Sequence, residues 1–302
     1  MNGPTWSSRS IGSRLQHGIF YLLIRTFGRR TAYGLLFFVA LWYTLRPLTR
    51  SRSAAYLARR FPQARPWERL GHCFLLNWTF GTTLVDRAAA GILNEFNISA
   101  SPEDERTLRD IAGEGRGLIL LTGHMGCWQT SMIGLDIQDR PVNVVMHRAP
   151  GDIDRQHFEH AGHGPSFRII DPQGYLGGSL DMVEALRRGE ILCVMGDRLF
   201  GSDRGAVDAT FLGGTVSLPV SPYRLASATG APIIVFFSRR TGPGAAVHEI
   251  ARVIRVPHGL GRGSDSYRPY AQIFADALEA QTRKVPHQFF NFYNMWKIRN
   301  ND

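Results

Sequence analysis

The sequence predicts an α/β protein with a mixed, parallel-rich central sheet flanked by helices, set behind an N-terminal helical preface. Three observations carry this. From Gly117 onward short apolar runs alternate with helix-length stretches, the pattern of strands joined by crossover helices. The strongest runs, Gly117 to Leu121 and Ile191 to Met195, are apolar without alternation, as strands buried on both faces are. Residues 1 to 100 read instead as helices. The expected division is therefore 1–100, helical, arginine-rich and membrane-proximal, and 101–302, an α/β domain.

Taken in order, residues 1 to 16 are polar, with no apolar core leading to a small-residue cleavage site, and no signal peptide is expected. Gly18 to Leu45 is strongly apolar but broken by Arg25, Arg29 and Arg30, which leaves Thr31 to Leu45 uninterrupted. As helix that run is about 22 Å long, short of a hydrocarbon core of about 30 Å. Phe37, Phe38, Trp42 and Tyr43 between arginines suit a helix lying in the membrane interface. Packing of the same helix against the protein's own body is the alternative. Ser53 to Arg60 predicts a short helix stopped before Pro62, and Trp67 to Leu93 a long one. Further strands are expected at Val142 to Met146, Arg168 to Ile170 and Pro232 to Ser238. Helices are expected at Cys127 to Asp136, Asp152 to His160, Gly178 to Arg188 and Pro219 to Thr229, the last opened by Pro219 and closed by Gly230.

Charge is distributed unevenly. Residues 1 to 70 hold twelve arginines and one acid, Glu68, giving +11 there and −1 over the rest of a chain whose total is +10. An anionic partner is expected for that segment. Its arginines are interleaved with aliphatic residues and belong to no nucleic-acid recognition module, so nucleic acid is not the expected partner. Cys73, Cys127 and Cys193 have no metal-ligand spacing and predict reduced thiols. His147, His157, His160 and His163 likewise make no complete ligand set, and no metal is expected.

The chemistry gathers at strand ends. The run Gly117 to Thr122 stops at His124, held between Gly123 and Gly126, which places an imidazole at the carboxyl edge where open α/β sheets bind ligands. The run Glu190 to Met195 stops in the same way at Gly196-Asp197-Arg198. Two such ends facing one crevice bring together a base, an acid and a cation, with Arg198 suited to an oxyanion. Arg148 follows the strand Val142 to Met146 and is a candidate for the same edge. Gly213 and Gly214 let backbone amides approach a ligand, although a glycine pair is more often only a turn.

The block His124-Met125-Gly126-Cys127-Trp128-Gln129, after an apolar strand and Gly123, resembles the glycerolipid acyltransferase superfamily. Within it the chain resembles the branch of the lipid A acyltransferases, whose block typically reads His-x-Gly-Asn-Trp-Glu. The ending Pro286-His287-Gln288-Phe289-Phe290-Asn291-Phe292-Tyr293-Asn294-Met295-Trp296 is similar to that of the same branch, so the resemblance spans nearly the whole chain. It implies that His124 is the general base for an acceptor hydroxyl or amine attacking an acyl thioester, oriented by the residue at 129. Here that residue is Gln129. Five positions of helix turn the chain by about 140°, so a continuous helix would not bring the pair together. A glutamine oxygen can accept a ring N–H, but it offers no charge to an imidazolium. Asp197, ahead of Asp136, is the candidate to supply that charge; a slower enzyme is the other reading.

The resemblance also implies that the Asp197-Arg198 block binds or orients substrate and that the Gly213-Gly214 stretch shapes the acceptor pocket. Amides near Gly126, Gly213 or Gly214 are candidate oxyanion donors. The aromatic ending is expected to close the sheet's edge or wall an acyl tunnel. The expected activity is transfer of a fatty acyl group from acyl carrier protein or coenzyme A to a lipid or lipid-like acceptor, with no cofactor beyond the donor. Anionic membrane lipids are expected partners. The expected location is the cytoplasmic face of a bacterial inner membrane, peripheral or with one N-terminal anchor helix. The alternative is an acyltransferase fold that binds lipid or carrier and turns over weakly or not at all, suggested by Gln129.

Overall fold

The computed structural model describes residues 12–131, 140–147, 156–162, 166–199 and 205–297. Helix α1 (Arg14–Leu45) is opened by a reciprocal cap, the Ser13 hydroxyl accepting the Gln16 amide while the Gln16 side chain accepts the Ser13 amide. It breaks at Gly28, whose φ of 78° and ψ of 174° suit a residue without Cβ. Helices α2 (Pro47–Arg60) and α3 (Pro66–Ile92) both start on proline, whose missing N–H is harmless in a first turn. The short helix thus begins at Pro47 rather than Ser53 and ends as expected. Ile24, Ala32 and Leu36 of α1 are buried against Val85, Ala88 and Ala89 of α3.

The α/β part comprises β1 (Asn97–Ala100), α4 (Pro102–Ala112), β2 (Leu118–Thr122), β3 (Val142–Val145), α5 (His157–Ala161), β4 (Arg168–Ile170), α6 (Ser179–Arg187) and β5 (Ile191–Met195). It continues with β6 (Ala206–Phe211), β7 (Gly214–Pro219), α7 (Ser221–Thr229), β8 (Ile233–Gly242), β9 (Ala245–Ile254) and α8 (Arg268–Lys284). Seven strands form one sheet in the order β1-β9-β8-β2-β5-β3-β4. Strands β8, β2, β5, β3 and β4 run parallel, while β9 returns antiparallel to β8 and carries β1. The sheet is mixed and parallel-rich. β1 lies on the helical side of residue 100 in the chain yet belongs to this sheet.

Both faces of β2 are covered, which is why it shows no polar alternation. Ile119 and Leu121 join a core that takes in Tyr56 of α2, Leu76 of α3, Tyr223 of α7 and Phe274 of α8. Leu118 and Leu120 face the other way, toward Ala112 of α4. The helical preface therefore shares the larger core with the sheet.

Two expectations change. Residues 127–131 of the helix expected at Cys127 to Asp136 are turns, with the Cys127 N–H drawn to the Ser238 carbonyl, and 132–136 lie outside the described residues. Pro219 closes β7, and the proline that opens α7 is Pro222. Among the described residues no helix is long and apolar enough to cross a membrane.

Candidate active site

Strands β2 and β5 pair in parallel with Thr122 opposite Met195, and the ladder continues as the Gly196 N–H donates to the Thr122 carbonyl at 2.7 Å. Two residues beyond that pair stand His124 on one strand and Asp197 on the other. Register alone therefore sets them abreast at the carboxyl edge. A Cβ on Gly196 would lie only 2.8 Å from Leu121 and 2.9 Å from Phe274, so glycine permits this close approach.

His124 Nδ1 lies 2.9 Å from Asp197 Oδ1 and 3.1 Å from Oδ2. An ionised carboxylate only accepts, so Nδ1 carries the proton and donates it, and in the neutral ring Nε2 holds the lone pair. The side chains are 13% and 1% exposed. Burial pushes the imidazole below its ordinary pKa, Arg198 pushes the same way, and Asp197 opposes both. On Asp197, burial acts to raise the carboxyl, but the charge and hydrogen bond of His124 together with Arg198 outweigh it and hold it below the usual carboxylate range. Near neutral pH the site is a neutral imidazole beside an anionic carboxylate.

A strap from the C-terminal segment fixes the backbone around this pair. The Phe290 N–H donates to the His124 carbonyl at 2.9 Å, and the Gly126 N–H donates to the Gln288 carbonyl at 2.8 Å. The Gln288 carboxamide is itself tied to the Arg240 backbone, accepting its N–H and donating to its carbonyl, both at 2.9 Å. On the Asp197 side, Arg198 Nη2 donates to the Phe290 carbonyl at 2.7 Å, with its guanidinium 5.6 Å from the Tyr293 ring. The Tyr293 hydroxyl donates to the Asp197 carbonyl at 3.4 Å. The Trp128 ring centre lies 5.4 Å from that of His124, Phe290 5.6 Å from Trp128, and Phe80 5.1 Å from both Phe290 and Phe292. This is an aromatic wall beside the imidazole.

The remaining sequence candidates are placed differently. Gln129 is not the partner of His124: its Oε1 is buried with no hydrogen-bond partner among the described residues, and Asp197 takes the ring proton. Gly126, at φ 55°, belongs in the turn because a Cβ there would overlap the Ser238 carbonyl. Its amide is engaged by Gln288, and those of Met125 and Cys127 by Gly123 and Ser238, so these three are not open oxyanion donors. Leu212 (φ 47°) and Gly213 (φ 70°) form the two-residue turn of the β6–β7 hairpin, and Gly214 sits against Arg59 and Trp296. No described hydrogen bond ties that turn to His124 or Asp197.

Arg198 is beside Asp197 as expected, but it is buried, with its fork directed at the strap rather than held out for a phosphate. Arg148 and Asp136 lie outside the described residues. Burial pushes the Cys127 thiol up to about 12, which leaves no thiolate near neutral pH. Among the described residues no group of histidines, cysteines and acids has the makings of a metal site. Sequence reasoning missed Gln288 and Tyr293 as supports of the site; their signal was the polar residues punctuating the aromatic ending.

Fold and site together define a class: an α/β protein whose sheet presents, at its carboxyl edge, an imidazole oriented by a carboxylate and able to take a proton from a bound group. The chain belongs to the bacterial lipid A biosynthesis acyltransferase family, whose model matches residues 18–298, helical layer and sheet alike. It is an acyltransferase of lipid metabolism. Comparison with curated proteins gives no match.

Proposed function

We propose that the protein moves a fatty acyl group from an acyl thioester, borne by acyl carrier protein or coenzyme A, to a hydroxyl or amine of a lipid acceptor, with His124 as general base. The observation that carries this reading is the contact of His124 Nδ1 with the Asp197 carboxylate, which fixes the tautomer whose lone pair is on Nε2. Nε2 takes the acceptor's proton as its oxygen or nitrogen attacks the thioester carbonyl. The tetrahedral intermediate collapses, the carbon–sulfur bond breaks, and the imidazolium returns the proton to the departing sulfur. Asp197 stabilises the imidazolium while it lasts. Asp197 thus supplies the charge that Gln129 lacks, and the transfer requires no metal or organic cofactor beyond the donor. Phe80, Trp128 and Phe292, all partly buried, offer an apolar wall for an acyl chain.

The arginine-rich helical layer meets anionic lipid and the acidic carrier protein, which sets the enzyme at the cytoplasmic face of the inner membrane as a peripheral protein. Exposed Leu22, Phe38 and Trp42 on α1 support contact with a bilayer.

Release of free thiol from a panel of carrier-protein and coenzyme A thioesters, with and without lipid acceptors, tests the activity in the natural chain and in His124→Ala. Release that requires both His124 and lipid is expected and identifies the donor. Release independent of lipid makes the protein a thioesterase, and no release with any donor sinks the proposal.

A further inference from the structure

The break in α1 opens a cleft of about 690 Å³ that has no part in the His124–Asp197 pair. Phe27, Arg29 and Arg30 line it from the break, Glu95 from beyond α3, and Pro243 and Gly244 from the tip of the β8–β9 hairpin. Arg29 is committed within the protein: it lies 3.5 Å from Asp86, a fully buried carboxylate, and 3.3 Å from Glu95. Glu95 is the only carboxylate in the lining, so Arg29 neutralises it. Arg30, and Arg25 just before the break, are exposed and make no ion pair or side-chain hydrogen bond among the described residues. Between them Phe27 is 69% exposed.

Apolar side chains also stand exposed along α1 on either side of the break, Leu15, Ile19 and Leu22 before it and Phe38, Trp42 and Leu45 after it. Soluble surfaces rarely carry so extended an apolar stripe unless something covers it. Surplus guanidinium charge at the middle of that stripe, with a phenyl ring beside it, is complementary to a phosphodiester joined to acyl chains.

We propose that the cleft at the α1 break is a headgroup site for an anionic phospholipid, with Arg30 meeting the phosphate, Arg25 adding positive charge just before the break, and Phe27 at the acyl boundary. This rests on the membrane association proposed above and gives it a place. Strand β8 is parallel to β2, so the hairpin tip beyond Gly242 overhangs the same carboxyl edge as His124. Ser238 bridges Gly126, and the run from Ser238 to Pro243 covers about 16 Å at the usual strand rise. A headgroup held in the cleft therefore turns the catalytic edge toward the lipid surface.

The test is cosedimentation of the full chain with phosphatidylcholine vesicles, with or without phosphatidylglycerol. All three native cysteines are buried, so Phe27→Cys also accepts a polarity-sensitive dye selectively. Binding is expected to require phosphatidylglycerol and to weaken about fivefold in Arg30→Gln and about 25-fold in Arg25→Gln/Arg30→Gln. Arg187→Gln, at an exposed position on α6, is expected to change binding by less than about twofold. The dye should shift to the blue on phosphatidylglycerol vesicles only. An equal loss in Arg187→Gln would show diffuse charge attraction and overturn the site. A dye response to glycerol 3-phosphate alone, matching that of vesicles, would assign the cleft to a free phosphate, against the proposal. Equal binding to both vesicle types would overturn the headgroup site while leaving membrane association standing. Failure of the natural chain to bind any vesicle would remove membrane association itself.

Discussion

Asp197→Asn keeps the shape of the side chain and removes its charge, so it isolates what the carboxylate does for His124. The contact is 2.9 Å, which puts the centres of charge roughly 4 Å apart, and at an effective permittivity of about 20 a full pair interacts by about 4 kcal/mol. The neutral ring of the resting enzyme draws little on this; the imidazolium formed as the acceptor loses its proton draws on it fully. If between half and all of the interaction is realised in the transition state, kcat falls by about 30-fold to 10³-fold, with KM little changed. The pH profile provides an independent reading. Burial and Arg198 hold the His124 pKa below 6.5 while Asp197 raises it, so the acid limb of kcat/KM for the natural enzyme lies below pH 6.5. In Asp197→Asn that limb moves to still lower pH although the enzyme is slower. Continuous detection of released thiol from pH 4.5 to 8 measures both quantities. A variant within about threefold of the natural rate, or one whose acid limb moves to higher pH, would refute the assignment of Asp197 as the partner of His124.

Four further outcomes follow from the same structure. Gln129→Glu places a carboxylate where the buried Gln129 Oε1 has no partner among the described residues, so melting temperature should drop while the rate changes by less than about fivefold; a hundredfold gain would move the acidic partner from 197 to 129. Gly126→Ala drives a methyl group into the Ser238 carbonyl at a positive φ and should cost about 2–4 kcal/mol in denaturant unfolding, with activity lost. Asp86 accepts from Arg240 at 2.8 Å, the Gly244 amide at 3.0 Å and the Tyr33 hydroxyl, so Asp86→Asn should destabilise by about 3–5 kcal/mol; an unchanged denaturation midpoint would count against this buried junction between helical layer and hairpin. Burial lowers His248 to about 4, so the unfolded chain binds a proton below about pH 6.5 that the folded chain refuses until about pH 4. Melting temperature should accordingly fall with pH across that window, and the fall should be shallower in His248→Phe.

Both halves of the dyad were legible in the sequence, because each is announced by an apolar run, a glycine and a polar side chain. Their adjacency was not. It depends on β2 and β5 being neighbours in register, a pairing across the whole β3–α6 segment that no local pattern encodes. The choice between Gln129 and Asp197 could be narrowed by charge, but only the register decides which carbonyl-type oxygen reaches the ring. Strand β9 escaped notice because His248, Glu249 and Arg252 interrupt its apolar residues, and β1 because it has only four residues. The β6–β7 hairpin did carry a period-two signal in Val207, Ala209 and Phe211, and α8 a helical one in Ala271, Phe274, Ala275 and Leu278. Arg198 shows the opposite failure: an arginine beside an acid at a strand end reads as a ligand group, and nothing in the local sequence tells that its fork meets a backbone carbonyl.

The strap also has a consequence for the order in which the enzyme is made. A ribosome completes both dyad strands well before it reaches Phe290, which follows Arg198 by 92 residues. Until then the His124 carbonyl and the Arg198 guanidinium lack the strap groups that fix them. Assembly of the complete site is thus deferred until translation has passed residue 290, by which time the arginine-rich helices have long been outside the exit tunnel. The fastener of the candidate site is thus made after the pair that it holds.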